Sequence, residues 1–569
     1  MKAAGRTQKI LIAAAVFAAL CGSAAWLAGT ADTSPASPWY SIVPPALAIV
    51  LAFLTRNVIR SLGAAIVVGA LLGFVPADPM SLDAWGAGAR SVFTLVGATA
   101  TNRSNLLTLS FLPPVFAMVE LIIAGGGFRG VMTWLLKRVR TGKSAQLATA
   151  TMGVACFIDD YASAIISGSM MQPIADRFRV SRAKLAFLVD ATAAPIAGLA
   201  VVSTWIAYET SLFTGVSQQL GLGKTGYAMF FDALSYRFYC LLMLGFMYAH
   251  ILLGRDFGPM REAEEQARQG EGDRDPCPVT CDPGHEPRAT RRARTALLPL
   301  AGLVLFHLTG LWLDGGGPAR LTGAALLLSP TYWREVISAA SHSSHMLLSA
   351  ALFGVTIAIL CGRRSGSLAW SAVPGCLYRG LRRAALPAVI LLLAWSLKSC
   401  CDDLGTGRFL TGLLADRILP WCFPPLLFAV ACIVSFAIGT SYGTMAILIP
   451  TAIPIAYALD GNTYGLTTMI SLGAVLDGAI FGDHCSPISD TTILSATATS
   501  CDLVLHTRTQ LPYSLFVAAV ALAFAYTPSA FGLRPLWSLG LAFLTIVAVL
   551  LALRRPVQPA LEALPQQAS

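Results

Sequence analysis

Eight aspartates stand inside otherwise apolar stretches of this 569-residue chain: Asp159, Asp160, Asp190, Asp402, Asp403, Asp477, Asp483 and Asp490. An ionised Asp at the centre of a membrane helix costs about 2.5–3.5 kcal/mol. One such residue can serve helix packing, but eight together exceed the margin of about 5–15 kcal/mol that holds a typical fold. A bound cation or an exchangeable proton offsets that cost. Carboxylates, hydroxyls and backbone carbonyls are the oxygen ligands that a hard monovalent cation prefers over sulfur. Asp159 and Asp160 are adjacent, so on a helix they diverge by about 100°, whereas in an unwound tip both can face one cavity. Two carboxylates that close do not ionise independently and can share a proton, the property a cation/proton exchange needs.

Three further constellations carry possible chemistry. In S-C-C-D-D-L-G-T-G (399–407) the glycines mark a helix break, and Lys398 lies four residues before Asp402, a spacing that permits an ion pair while the turn stays helical. The run S-F-A-I-G-T-S-Y-G-T (435–444) reads either as close helix packing through small residues or as an unwound cation-binding segment at Thr440 and Ser441, between Gly439 and Gly443. His484, beside Asp483, is either a proton relay or a satisfied polar residue. Glu120, Glu209, His342 and His345 lie near span ends and are expected to face water. No G-x-x-x-x-G-K-[ST] or H-E-x-x-H is present, which weighs against an ATP-driven pump and against a zinc hydrolase of that type. The chain reads as a non-enzyme with no cofactor.

The elements that must hold these residues are membrane spans. The chain is 55% hydrophobic and 12% charged, with a mean hydropathy of +0.66, whereas soluble domains average about 25% charged residues. Apolar stretches long enough for a hydrocarbon core of about 30 Å recur along its length. They predict spans at 10–28, 40–55, 61–76, 106–124, 185–207, 236–254, 296–313, 345–361, 384–398, 421–437, 444–459, 466–481, 512–530 and 535–553. The net charge of +10 sits in short basic loops, as the positive-inside bias predicts, and not in a nucleic-acid-binding patch. Residues 1–30 read as a cleaved signal or, better, as a first retained span within a 1–38 leader segment; the orientation of the last two spans stays open. Most of the 13 cysteines lie in apolar runs and read as small hydrophobes. Cys277, Cys281 and His285 lack an obvious fourth ligand, so no resident metal is expected.

Lys143 and Arg177 flank a stretch with both ends on the cytoplasmic side. That predicts a re-entrant hairpin near 144–176 or, alternatively, two short spans. A second interrupted segment, near 470–505, carries Gly473, Asp477, Gly482, Asp483, Pro487 and Asp490. Two broken segments in corresponding halves point to an inverted-repeat transporter. I-D-D-Y-A-S (158–163) pairs with G-D-H-C-S (482–486) as the visible trace of the repeat. The expected organisation is a first repeat at 39–254, a cytoplasmic and largely disordered polar loop at 255–295, a second repeat at 296–553 and a polar tail at 554–569. The fold class is all-α and polytopic, with about 12–14 transmembrane segments.

The stretches F-I-D-D-Y-A-S-A-I-I-S-G-S-M-M-Q-P-I-A-D-R-F-R-V-S-R-A-K-L-A-F-L-V-D-A-T-A-A-P (157–195), S-T-W-I-A-Y-E (203–209), G-T-S-Y-G-T-M-A-I-L-I-P (439–450) and G-D-H-C-S-P-I-S-D-T-T-I-L-S (482–495) resemble the NhaC-type sodium/proton antiporter family over roughly residues 40–550. The resemblance implies a multi-pass secondary transporter of the inner cell membrane that exchanges sodium for protons. It also implies two inverted repeats whose hairpins meet at the midplane. Its partners are then sodium, protons and the lipid bilayer, and a homodimer is among the assemblies it allows. By position it makes Asp159, Asp160, Ser163, Thr440, Ser441, Asp483, Ser486, Asp490 and Thr491 cavity residues. Ser163 departs from the family pattern, where Asn is usual, so ion preference can differ. Relatives of this family include sodium-coupled exchangers of organic acids, which keeps a small organic acid or amino acid open as the coupled substrate.

Overall fold

A computed structural model describes residues 18, 22 and 38–553 apart from 56, 75–79, 137–138, 271–292, 407–408, 410–417 and 488. Among the described residues every regular element is helical. Nine helices among the described residues are long and apolar enough to cross a bilayer, or eleven when each of two bent pairs counts as one span. The predicted span at 10–28, the Cys277–Cys281–His285 cluster and the tail at 554–569 lie almost wholly outside the described residues.

The first half comprises α1 (Val43–Thr55), α2 (Val58–Leu72), α3 (Leu82–Thr101), α4 (Arg103–Ala124), α5 (Gly127–Leu136), α6 (Gly142–Ala155), α7 (Asp160–Arg177), α8 (Arg182–Leu199), α9 (Thr204–Leu220), α10 (Gly226–Leu234) and α11 (Phe238–Leu253). At 13 and 15 residues, α1 and α2 are shorter than the roughly 20 residues a full crossing needs. The predicted span 185–207 is two helices, α8 and α9, meeting at a 46° bend. Pro195 lies in the last turn of α8, and Ser203 caps the start of α9 by accepting from the N–H groups of Trp205 and Ile206.

After α12 (Gly258–Gln269) the second half comprises α13 (Arg294–Asp314), α14 (Pro330–Ala339), α15 (Ser343–Arg364), α16 (Val373–Asp403), α17 (Phe423–Ile438), α18 (Ser441–Leu459), α19 (Leu466–Cys485), α20 (Asp490–Ala498), α21 (Leu503–Ala521) and α22 (Pro535–Ala552). Almost every residue of α8 and α19 is buried, the signature of a helix enclosed on all sides. Outward-facing Leu305 on α13, Ile433 on α17 and Leu544 on α22 are largely exposed and give the molecule its lipid-facing surface.

Four expectations change. The polar loop is not unstructured throughout, because α12 folds and docks: Glu264 Oε1 accepts from the Ser181 N–H at 2.8 Å. The span predicted to end at 398 continues through the acids; α16 runs through Asp403 and stops at Gly405, the glycine break read from the sequence, whose φ of 72° is the left-handed conformation glycine tolerates. The segment 470–505 is a full-length helix, α19, followed by the nine-residue α20 and the start of α21, so among the described residues its breaks lie at 486–489 and 499–502. Glycines 473, 478 and 482 do not interrupt α19. They let neighbours approach: a Cβ at Gly482 would lie 2.2 Å from Phe436 N, and one at Gly478 would lie 2.5 Å from the Ala431 Cβ. Finally, the helix–break–helix that matches α6–α7 is α17–α18, with the break at Gly439–Thr440, and not the 482–486 segment. D-D-Y-A-S-A-I-I (159–166) then aligns with T-S-Y-G-T-M-A-I (440–447) from its first residue.

The outer ends of α6 and α7 do meet one common segment. Lys143 Nζ donates to the Leu252 carbonyl at 2.7 Å, and Arg179 donates to the Arg268 carbonyl at 3.1 Å. The pair therefore enters and leaves the protein body on the α11–α12 side, with its break pointing inward.

Candidate cation site at converging helix breaks

Four helices begin inside the protein: α7 at Asp160, α9 at Thr204, α18 at Ser441 and α20 at Asp490. Each start leaves backbone N–H groups without intrahelical partners and a partial positive charge. That charge helps hold acidic side chains away from water. Asp159 caps α7, its Oδ1 accepting from Ala162 N at 2.7 Å. The α7 and α9 starts are tied together by Thr204 N donating to the Ile158 carbonyl at 2.8 Å.

Asp483 is the organising acid of the other two starts. Its Oδ2 accepts from Ser441 Oγ at 2.9 Å and its Oδ1 from Ser489 Oγ at 2.5 Å. Its carbonyl accepts from Thr492 Oγ1 at 2.9 Å, and Ser489 Oγ lies 3.0 Å from Thr491 Oγ1. Tyr161, one residue into α7, donates its hydroxyl to Asp490 Oδ2 and so bridges α7 to α20. Asp160 stands within electrostatic reach of Asp159, Asp483 and Asp490, and Trp205 Nε1 faces it. Asp159, Asp160 and Asp483 are each at most 2% exposed, while Asp490 opens to accessible space. Asp159 Oδ2, Thr204 Oγ1 and Trp205 Nε1 are buried and make no well-formed hydrogen bond. Asp159 Oδ2 and Thr204 Oγ1 therefore have unused acceptor capacity for a cation, whereas the Trp205 indole N–H can only donate.

The remaining sequence-predicted residues fall in three places. Ser163 and Ser486 are buried beside the breaks, donating to the Gly153 carbonyl at 3.3 Å and the Phe436 carbonyl at 2.8 Å. Asp190 and His484 form an adjoining layer. Asp190 accepts from Gln510 Nε2 at 2.8 Å, meets His506 Nε2 at 3.2 Å and lies 3.3 Å from Ser495 Oγ. His484 Nδ1 lies 3.0 Å from the Tyr239 hydroxyl. Thr440 caps the start of α18 without a side-chain hydrogen bond. Asp402, Asp403 and Lys398 are elsewhere. Asp402 pairs with Lys398 at 2.8 Å, as the spacing predicts, and with Gln219 at 2.5 Å. Gln219 is at the far end of α9, about 22 Å along its axis from Thr204.

Two acids expected to face water are buried instead. Glu120 is held by Arg379 at 2.7 Å and Arg383 at 2.9 Å. Glu209 pairs with Arg237 at 3.2 Å, and Arg237 also pairs with Asp477 at 2.9 Å, all three being fully enclosed. Sequence reasoning treated neither acid as a site residue because its partner lies far away along the chain. Ser489, Thr204, Tyr161 and Tyr442 were also missed, although Ser489 before Asp490 is a readable helix-cap signal.

Among the described residues no group of three or more His, Cys, Asp or Glu side chains is arranged to hold a metal ion alone. The donors here are carboxylates mixed with hydroxyls and helix-break backbone, an all-oxygen set suited to a hard cation or a proton.

An uncharacterized protein of Haemophilus influenzae is 28% identical over 524 residues, covering 91% of this chain and 95% of its own. The malate-2H(+)/Na(+)-lactate antiporter of Bacillus subtilis is 30% identical over 159 residues, 28% of this chain and 33% of that protein. The Na(+)/H(+) antiporter NhaC of Alkalihalophilus pseudofirmus is 30% identical over 162 residues, 28% of this chain and 32% of that protein. The crystal structure of the Alcanivorax borkumensis YdaH transporter shares the fold at a TM-score of 0.51 and 17% identity, covering 80% of this chain and 91% of that one. The family model described as the Na+/H+ antiporter family matches residues 196–527, more than half of the chain and including α9, α18, α19 and α20. This multi-pass membrane protein belongs to the Na+/H+ antiporter family.

Proposed function

We propose that the protein exchanges sodium for protons across the cytoplasmic membrane by alternating access. The observation that carries this reading is the convergence of four helix starts on Asp159, Asp160, Asp483 and Asp490. The cluster has more carboxylates than nearby fixed cations. Sodium or a proton can each supply the missing positive charge, so the two compete for one site. Asp483, with hydroxyl donors from α18 and α20, ties cation occupancy to two helix breaks. The halves at 39–254 and 296–553 act in this reading as two repeats that rock about the breaks.

Everted membrane vesicles energised with a proton gradient test it. Addition of sodium should release lumenal protons in the wild type and not in Asp483→Asn or Asp160→Asn. Undiminished exchange in both variants overturns the site.

A second reading is sodium-coupled movement of a small organic acid or amino acid. It is favoured by the name of the Bacillus subtilis relative, whose match is at 30% identity. Inward-pointing helix N-termini are also suited to a substrate carboxylate. Stimulation of sodium flux by malate or lactate would support it over simple exchange.

A further inference from the structure

Arg237 is fully enclosed between two acids from different helices. Its Nε donates to Asp477 Oδ1 on α19 at 2.9 Å, and its NH1 donates to Glu209 Oε1 on α9 at 3.2 Å. One guanidinium neutralises one carboxylate, so the triad carries one negative charge in excess. Leaving that charge unpaired at 0% exposure is costly.

The two acids are not equivalent. Asp477 has a full set of donors: Arg237, the Tyr239 N–H at 2.6 Å and the Tyr526 hydroxyl at 2.7 Å. Glu209 has Arg237 alone, and its Oε2 is buried with no hydrogen-bond partner. Asp477 is therefore built to stay ionised as the counter-ion of Arg237, and Glu209 is built to take the proton. Glu209 is also close to the cation cluster. Tyr442, next to Ser441, stands within electrostatic reach of Asp159, Asp160 and Glu209, and its carbonyl accepts from the Tyr208 hydroxyl at 2.5 Å.

We propose that Glu209 is a proton-binding site of the transport cycle, separate from the cation cluster and coupled to it through α9 and Tyr442. This rests on the sodium/proton exchange reading above. In the proton-loaded state an O–H bond forms at Glu209 Oε2, and Arg237 with Asp477 is a neutral pair. When sodium occupies the Asp160–Asp483 cluster, its positive charge favours ionised Glu209, and the proton leaves to the water of whichever face is open. The elements packed against α9 bring other charged groups: Glu120 with Arg379 and Arg383, Asp190, Asp232 with Lys224, Lys398 with Asp402, and Asp477. Of these only Asp477 acts on Glu209 directly, beside Arg237 itself.

Glu209→Gln tests the assignment in full-length protein reconstituted into liposomes, because Gln keeps an acceptor for Arg237 but cannot titrate. Two readouts are needed: radiolabelled sodium/sodium counterflow, which moves no net proton, and lumenal pH during sodium-driven exchange. The expected result is counterflow within about twofold of wild type with the protons moved per sodium reduced to about half, the proton exchanged at the carboxylate cluster remaining. Unchanged protons moved per sodium in Glu209→Gln overturns the proposal. Should Gln fail to fold, Glu209→Asp serves: a shifted pH profile of exchange supports the site, and an unmoved one overturns it. A wild type without sodium counterflow overturns the exchange reading itself.

Discussion

Asp159 and Thr440 occupy the same position in two separate helix breaks. Asp159 has φ −150° and ψ 125° at the start of α7, and Thr440 has φ −155° and ψ 131° at the start of α18. The residues that follow correspond as well, Asp160 with Ser441 and Tyr161 with Tyr442. One break carries its own pair of acids. The other carries hydroxyls and borrows its acid from α19, through Ser441 to Asp483. Similar backbone thus carries different charge, and only the Asp159–Asp160 break brings acids of its own.

This separates the roles of Asp159. Its side chain caps α7 and also supplies charge. Asn caps a helix about as well as Asp, whereas Ala costs about 1 kcal/mol. Asp159→Asn should therefore match wild type in thermal stability and lose exchange, while Asp159→Ala should lose both. Melting of purified protein alongside vesicle exchange reads the two effects. An Asp159→Asn protein that transports normally would confine Asp159 to capping.

The Arg237 triad makes a different stability prediction. Removing the arginine leaves two enclosed carboxylates facing each other, and breaking a buried pair costs about 3–5 kcal/mol. Arg237→Met should melt far below wild type. Adding Asp477→Asn and Glu209→Gln should recover much of the loss, because no charge then remains to bury. Arg237→Lys should recover little: Nε and NH1 reach two acids at once, which a single ammonium does not reproduce. Thermal unfolding of the single and triple variants in detergent checks the order.

The sequence was most legible where one signal sufficed. Apolar length gave most spans, and the cost of buried charge singled out Asp159, Asp160, Asp190 and Asp483 before any geometry. The i, i+4 spacing gave the Lys398–Asp402 pair. Glycine was read less well, because the same residue ends a helix at Gly405 and Gly439 but admits a neighbour at Gly473, Gly478 and Gly482. Nothing local distinguishes those uses; the neighbour is supplied by a helix tens of residues away. Glu209 and Glu120 failed for the same reason, since Arg237, Arg379 and Arg383 reach them only through the tertiary fold.

Docking of α12 should depend on pH in two opposite steps. Burial opposes the charge of Asp256, but Lys184 beside it outweighs burial and holds the carboxyl below the usual range, with help from the Tyr513 hydroxyl at 2.7 Å. Burial, then Asp256, pushes the carboxyl of Glu264 above its usual range. A raised carboxyl binds its proton more tightly when folded, so docking gains stability as pH falls through that raised value toward about 4.3. A depressed carboxyl behaves oppositely: its contribution is present above about 3.9 and is lost as pH falls through the folded value below that. Hydrogen exchange across residues 258–269 should therefore slow on mild acidification and quicken sharply in stronger acid. Asp256→Asn should remove the second step, and a monotonic profile in the wild type would contradict the assignment.

Gly482 sets two physical effects against each other. It lies within α19, where Gly→Ala ordinarily stabilises a helix by about 1 kcal/mol. Here a Cβ would stand 2.2 Å from Phe436 N and 2.4 Å from Ser435 C, both of them backbone atoms of α17 that cannot rotate aside. Overpacking of that kind costs about 1–3 kcal/mol or more, so the clash wins. The strain also falls on the joint between α17 and α19: Ser435 Oγ donates to the Ala479 carbonyl at 2.5 Å, and Ser486 Oγ to the Phe436 carbonyl at 2.8 Å. Pushing α17 from α19 therefore displaces Ser441 relative to Asp483, the contact that joins two of the helix breaks. Gly482→Ala should lower the melting temperature and weaken sodium affinity in vesicle exchange. Gly540→Ala on α22, where a Cβ meets nothing within 4 Å, should leave both unchanged or slightly raise stability. Equal behaviour of the two variants would show that α17 yields to the added methyl and that the close approach at Gly482 is not what sets the geometry of Asp483.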